Sequence, residues 1–335
     1  MPLPFILGAI AVATGVTGIV KAVNASDTND RAKRINNHAQ EIYEKAEQEL
    51  KNSKNRAKES LSMLGQKKID ILQQDMIPFV DLMQQIKNIN MTEIRGMGDL
   101  SRLQVNEETL AEMQDMGSLA VKMASGIIGG TAGGALMAFG AYSAVACLGT
   151  AGTGTAIAGL SGVAATNATL AALGGGTLAA GGLGIAGGAA VLGGIVAGPA
   201  LAVLGFAMSS KANENLENAR SYRAQAEKAA KEMGLASDVC LRISERADMF
   251  IDLLENIHIR FQKFVAQMED VIRDKGTDYG DYGQDEKDIL AMAWSLAVAA
   301  KAVLDTPILN EDGSVTKESL DVYHEMDSKI AKVNV

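Results

Sequence analysis

From Ser26 onward apolar residues recur every three or four positions. Ile35, Ala39, Ile42, Ala46 and Leu50, then Ala57, Leu61 and Leu64, form one stripe, while charges of both signs such as Glu44, Lys45, Glu47 and Glu49 fill the other faces. That period predicts a long amphipathic helix over about 28–76, with a narrow, partly alanine-lined seam of the coiled-coil or bundle kind. Ser26 and Asp27 are suited to cap its start, and Pro78 should kink or restart it near Ile77. A second stripe runs through Leu216, Ala219, Ala226, Ala230, Met233, Ile243, Leu253, Leu254, Ile257, Phe261, Phe264, Val265, Met268 and Ile272. It predicts a second long helix over 207–273, with the region of Gly234 as its candidate break.

Between these stripes the pattern changes kind. Residues 90–106, with Gly96 and Gly98, read as a connector of short helices, and then the charges stop. Between Lys122 and Lys211 lie 88 residues without an Asp, Glu, Lys, Arg or His, and they hold 23 of the 35 glycines. At its weakest helical points this tract divides into three apolar stretches, 123–148, 156–173 and 183–208, each near the ~20 residues that span a bilayer.

The ends of the chain add two further regions. Residues 3–20 are uncharged for 18 positions, again close to a span. No basic residue precedes that run, which argues against a secretory signal and for a retained membrane-seeking or core helix. After the polar loop 276–286, residues 289–304 predict an apolar helix carrying Trp294, ended by Thr306-Pro307. Asp312-Gly313 marks a turn, and Thr316 is placed to cap a last helix to about Val333.

The expected fold class is therefore all-α: an elongated helical bundle in which long amphipathic helices flank a glycine-rich apolar helical hairpin segment. Five regions follow: an apolar N-terminal helix (1–25), an amphipathic helical region (26–122), the glycine-rich segment (123–210), the second long helix (211–275) and a C-terminal helical cap (276–335). Antiparallel pairing of the two long helices would place the glycine-rich segment at one end of the bundle.

Composition narrows the function classes. Hydrophobic residues make up 47% of the chain but aromatics only 4%, so the apolar mass is Ala, Leu, Ile, Val and Met, the residues of helices. A net charge of -9, with no basic stripe, speaks against nucleic acid as a partner, and any membrane affinity has to come from apolar burial. Cys147 and Cys240 are far apart and read as small buried thiols rather than as a disulfide or metal pair.

The candidate chemistry is thin. Gly182–Gly187 matches a dinucleotide fingerprint formally, but no β-branched strand precedes it and no acidic residue follows before Glu214. The stretch from Gly149 lacks the Lys of a phosphate-binding loop. His38, His258 and His324 stand singly and read as solvated or capping residues. Asp274, Asp278, Asp281 and Asp285 miss the spacing of a calcium loop and read as a solvated turn. Trp294 reads as core, Tyr279 and Tyr282 as exposed. No nucleophile–base pair, cofactor fingerprint or small-molecule site is recognisable, so the chain is read as no enzyme and as needing no cofactor or metal.

What stands out instead is glycine at four-residue spacing: Gly126/Gly130, Gly129/Gly133, Gly130/Gly134, Gly184/Gly188 and Gly194/Gly198. Such pairs flatten a helix face so that a second backbone can approach, the packing mode that serves in lipid. The wording around them resembles a group of bacterial glycine-zipper-type helical proteins. Residues 165–170 (ATNATL), 173–182 (LGGGTLAAGG), 198–202 (GPALA) and 304–309 (LDTPIL) carry the resemblance. In architecture the chain is similar to apolipoprotein L-like proteins and to cytolysin A-type α-helical pore-forming toxins. That likeness implies membrane insertion with pore formation.

The reading that results is a membrane-inserting, oligomerising α-helical protein whose partners are the lipid bilayer and further copies of itself. A cytoplasmic soluble form with conditional membrane association is expected, an integral membrane protein or a secreted toxin being the other placements. Its rival is a non-catalytic helical scaffold or interaction protein in which the glycine segment is permanently buried core.

Overall fold

The computed structural model describes residues 16–89, 107–124, 136, 139–141, 212–310 and 314–333. These residues form six α-helices and no strand. They are α1 (Val16–Ile71), α2 (Ile77–Gln85), α3 (Glu107–Ala124), α4 (Ala212–Lys275), α5 (Gln284–Asp305) and α6 (Glu318–Ile330). The all-α class and the two long amphipathic helices expected from the periodicity are present. The chain divides into two compact units, residues 1–50 with 198–235 and residues 51–197 with 236–335.

α1 is already helical at Val16, so Ser26 and Asp27 lie inside it rather than at its cap. α4 runs unbroken through Gly234, where a side chain would meet nothing within 4 Å; a solvent-facing glycine weakens a helix without ending it. The buried positions of α4 follow a seven-residue repeat: Ala219, Ala226, Met233, Cys240, Ala247, Leu254, Phe261 and Met268. Ile243, Phe250, Ile257 and Val271 supply its second row. This is the 3.5-residue period of helices that stay in register with a partner.

In the smaller unit the seam is lined by small side chains, Ala32 and Ala39 on α1 and Ala219, Ala226 and Ala229 on α4. Asn215 donates to Asn29 at 2.9 Å within it. In the larger unit the α4 seam widens to Leu254, Phe261 and Met268, and wider residues need more walls around them. α5 supplies one. It is buried almost all round, from Leu290 through Ala300 to Leu304, as a central helix must be. Trp294 is buried and packs at a tilt against Phe79 of α2 (5.9 Å between ring centres), and Phe79 likewise against Phe261 of α4 (5.4 Å), so the reading of Trp294 as core holds.

The direction of the long pair differs from expectation. In the larger unit Ser237 bonds to Ser53, Arg56 faces Asp248, Lys67 pairs with Glu255, and Asp75 meets His258. Both numbers rise together, so α1 and α4 run parallel there, not antiparallel. A parallel pair needs a long return connection, and residues 72–211 provide it.

Between α1 and α2 the chain makes one wide π-turn, Leu72–Met76, in which the Ile77 N–H reaches back five residues to the Leu72 carbonyl. Pro78, at the second position of α2, has no N–H and crowds the carbonyl of Gln74; widening the preceding turn accommodates both defects. The restart falls at Ile77, as the proline predicts. α3 covers the turn and α2 with Met113, Met116 and Ala120, and Gln73 donates to the Ala120 carbonyl.

The far end of α4 is closed by Gly276 at φ +82, the left-handed position that terminates helices. The loop behind it folds inward, contrary to the exposed reading of its tyrosines: Tyr279 and Tyr282 are buried, and the Tyr282 hydroxyl donates to the Gly276 carbonyl. Asp278 accepts from Asn88 and from the Gly280 N–H, which makes it part of a turn that ties Lys87 to Asp278. Thr316 caps α6 through Ser319 N–H as expected. Arg246 and Arg260 of α4 bond to Ser319 and to the Val333 carbonyl, so α6 lies along α4 in the same direction.

The parallel register is open to a direct check. In a chain with Cys240→Ala, cysteines replacing Ser53 and Ser237, whose hydroxyls are 2.9 Å apart, should close an intramolecular disulfide on mild oxidation. Peptide mapping that finds no such link would refute the parallel arrangement.

Candidate functional site

The glycines at four-residue spacing (Gly126, Gly129, Gly130, Gly133, Gly134, Gly184, Gly188, Gly194 and Gly198) lie outside the described residues, as do Cys147 and the run 3–15. The description does reach the charge-free segment near its start, at Leu136 and at residues 139–141, which are helical. This short piece is held against the larger unit in three ways.

The first is a backbone crossing. A Cβ on Gly65 of α1 would overlap the carbonyl of Leu136 and come within 3.2 Å of the Gly140 nitrogen. A Cβ on Gly140 would in turn overlap the Leu61 carbonyl and sit 3.0 Å from the Gly65 nitrogen. Two glycines face each other, and each makes room for the other helix's main chain. Secondly, Phe139 is fully buried under the Lys68 side chain, whose ammonium lies 5.8 Å from the ring centre. Lys68 is itself buried and donates to the Leu304 carbonyl at the end of α5. Thirdly, the Ala141 carbonyl accepts from the Ile308 N–H (2.8 Å) and the Leu309 N–H (3.2 Å), just beyond α5.

A polar cluster is built on the π-turn itself. Asp75 is fully buried, and its Oδ2 lies 2.8 Å from His258 Nδ1. Its Oδ1 makes no hydrogen bond among the described residues. Burial pushes the Asp75 carboxyl up to about 6, against the downward pull of His258 and then of Lys67. Lys67, beside it, pairs with Glu255 and by that hydrogen bond holds the Glu255 carboxyl below its ordinary value. On α5, burial pulls the Lys301 ammonium down, but Asp305 and Glu112 outweigh it and hold it above its ordinary value.

The isolated-histidine reading thus holds for His38, exposed beside Glu41, and fails for His258. The partner of His258 is 183 positions away in the chain, so no local spacing announces it. Among the described residues no hydrogen bond joins His258 to a hydroxyl or thiol, and no group of acidic, His and Cys side chains has the makings of a metal site. The pair joins the π-turn to α4. Cys240 is buried, as expected, and burial pushes its thiol up.

Comparison with protein-family models, with curated proteins and with solved structures gives no match. What the chain does has to be argued from its own residues.

The Asp75 carboxyl binds its proton more tightly in the folded chain than the usual 3.8 allows in the unfolded one. Its contribution to stability is therefore full below about pH 4 and is lost as pH rises through about 6. Relative to Asp75→Asn, the native protein should gain on the order of 3 kcal/mol of unfolding free energy between pH 7 and pH 4. Urea unfolding of both proteins across that range measures it, and curves that stay parallel would refute the buried-carboxylate account.

Proposed function

We propose that the protein inserts into lipid bilayers through residues 123–210 and oligomerises there, with pore formation as the resulting activity. The observation that carries this reading is the 88-residue tract without a charge, held by an otherwise acidic chain. Leu, Ile, Phe and Val contribute about -0.3 to -0.6 kcal/mol each at the centre of a spanning helix, while Gly and Ala offer little area to bury. Single stretches of this composition are marginal spans, and helices closed on each other through glycine faces are better ones. The same small residues keep a water-soluble packing feasible.

The frame supports this division of labour. Among the described residues no helix is long and apolar enough to cross a membrane, so a span has to be sought in 3–20 or in 123–210. The described start of the segment uses glycine-to-backbone packing, at Gly65 and Gly140, which is the mode inferred for the rest of it. The bilayer and further copies of the chain are the partners, and a soluble form with conditional membrane association is the expected state.

One observation favours the rival scaffold reading: Phe139 and Ala141 are core residues of the larger unit. The two readings part in a vesicle experiment. Purified protein should float with liposomes and release entrapped dye, which a permanently buried core would not do. Replacing 142–208 by a Gly/Ser linker of equal length keeps the docked residues 139–141, and should reduce both signals to background while leaving a helical protein. Flotation unchanged by that replacement would move the activity to 3–20.

The glycine faces have their own test. Gly184→Leu with Gly188→Leu raises apolar area, so liposome binding should persist, but it holds helices apart, so dye release should fall several-fold. Release equal to or above that of the native chain would make the scaffold the better account.

A further inference from the structure

We infer that Leu136 and residues 139–141 form an autoinhibitory clamp, which holds the head of the charge-free segment on the helical frame and must open before that segment enters a bilayer. The inference rests on the membrane-insertion reading and adds the contact that restrains it.

The clamp joins two parts of the fold that are otherwise complete. α1 contributes Leu61, Gly65 and Lys68, and the turn after α5 contributes the Ile308 and Leu309 N–H groups. Both sets lie in the larger unit, and the helical pair at Gly65 and Gly140 touches main chain to main chain. Such a crossing is exacting in shape, because one methyl group on either glycine overlaps a carbonyl oxygen. It is weak in apolar burial, because glycine has no side chain to remove from water. Among the described residues Phe139 brings a fully buried ring, Leu136 a partly buried side chain packed against the core, and the Ala141 carbonyl the hydrogen bonds to the turn after α5. In the larger unit the α1–α4 seam, by contrast, is lined by large buried side chains of α4 such as Leu254, Phe261 and Met268. Opening therefore costs a few local contacts rather than the bundle. Leu136 to Ala141 lie inside the charge-free tract, so opening frees chain that carries no charge to keep it in water.

The test uses the full-length chain with Gly65→Ala, which places a methyl group where the Leu136 carbonyl now sits. Two readouts are taken: amide hydrogen exchange at Ile308 and Leu309, and flotation with vesicles of phosphatidylcholine and phosphatidylglycerol. The expected result is helical content as in the native chain, exchange at both amides about tenfold faster, and a larger floated fraction. Unchanged exchange would overturn the clamp. Faster exchange with no gain in flotation, where the native chain floats, would overturn its restraining role and leave the insertion reading standing. Faster exchange with no flotation of either protein would overturn the insertion reading itself. If Gly65→Ala loses its helical content, Phe139→Ala, which removes the buried ring without a clash, decides the matter by the same readouts and the same outcomes.

Discussion

In the larger unit α1 and α4 pack side by side in the same direction, and most of the other placements follow from that constraint. The end of α1 and the π-turn after it lie against Glu255 and His258, short of the end of α4, and α2 carries the chain on until Lys87 meets the turn after α4 at Asp278. The wide turn at Leu72–Met76 sends α2 onward with Phe79 towards Phe261, while Gly276 turns the chain back so that α5 runs between them. α5 is then enclosed on almost every side, which is why its sequence is apolar from Leu290 to Ala300 apart from Ser295, whose hydroxyl donates to the Ala291 carbonyl of its own helix, and why Lys301 is paired with Glu112 and Asp305. α3, α6 and the docked residues 139–141 fill the outer walls of that enclosure.

Polar groups buried inside such a core fix its register more than its stability. Asp75 loses its water, keeps one hydrogen bond to His258 and, among the described residues, leaves one oxygen without a partner. That arrangement is worse for stability than a well-packed apolar pair, yet it tolerates no slippage of the π-turn along α4. Lys67 and Lys68 divide the same work. Lys67 reaches outward to Glu255 on α4, and Lys68 turns inward to the Leu304 carbonyl and the Phe139 ring. Neighbouring lysines thus tie α1 to α4 on one side and to α5 on the other.

The helices themselves were legible in the sequence, because a heptad of small and apolar residues such as Ala219, Ala226 and Ala247 has no other comfortable conformation. Pro78, Thr316 and Trp294 were legible for equally local reasons. The direction of pairing was not, since a seam of alanine and leucine looks alike read forwards or backwards. Nor was the Asp75–His258 pair, whose members look like ordinary surface residues of amphipathic helices until the π-turn rotates Asp75 into the core. Tyr279 and Tyr282 were misplaced because polar neighbours suggested a solvated loop, whereas the loop's hydrogen bonds to Lys87 and Gly276 fold it over the bundle end. Gly65 gave no signal either: a lone glycine in a charged helix is informative only once its partner, Gly140, is known.

Under the proposed insertion, that last pairing bears on how one chain would suit both water and lipid. A side chain such as leucine is driven into whichever apolar surroundings are nearest, and a segment rich in it would commit early to one state. Glycine and alanine are nearly indifferent, so the choice passes to geometry, to whether another backbone is available at close range. At Gly140 the available backbone belongs to α1, and the contact is made inside the folded chain. Within a bilayer the available backbones would belong to other helices of the same composition, and the same contact would be made there. The exchange is nearly neutral in apolar burial, so the few groups that glycine does not supply decide its direction. Among the described residues those groups are the Phe139 ring, the Leu136 side chain and the two N–H donors on the Ala141 carbonyl, and under the proposed insertion their loss in lipid would be met by the leucines, isoleucines and valines further along the charge-free tract.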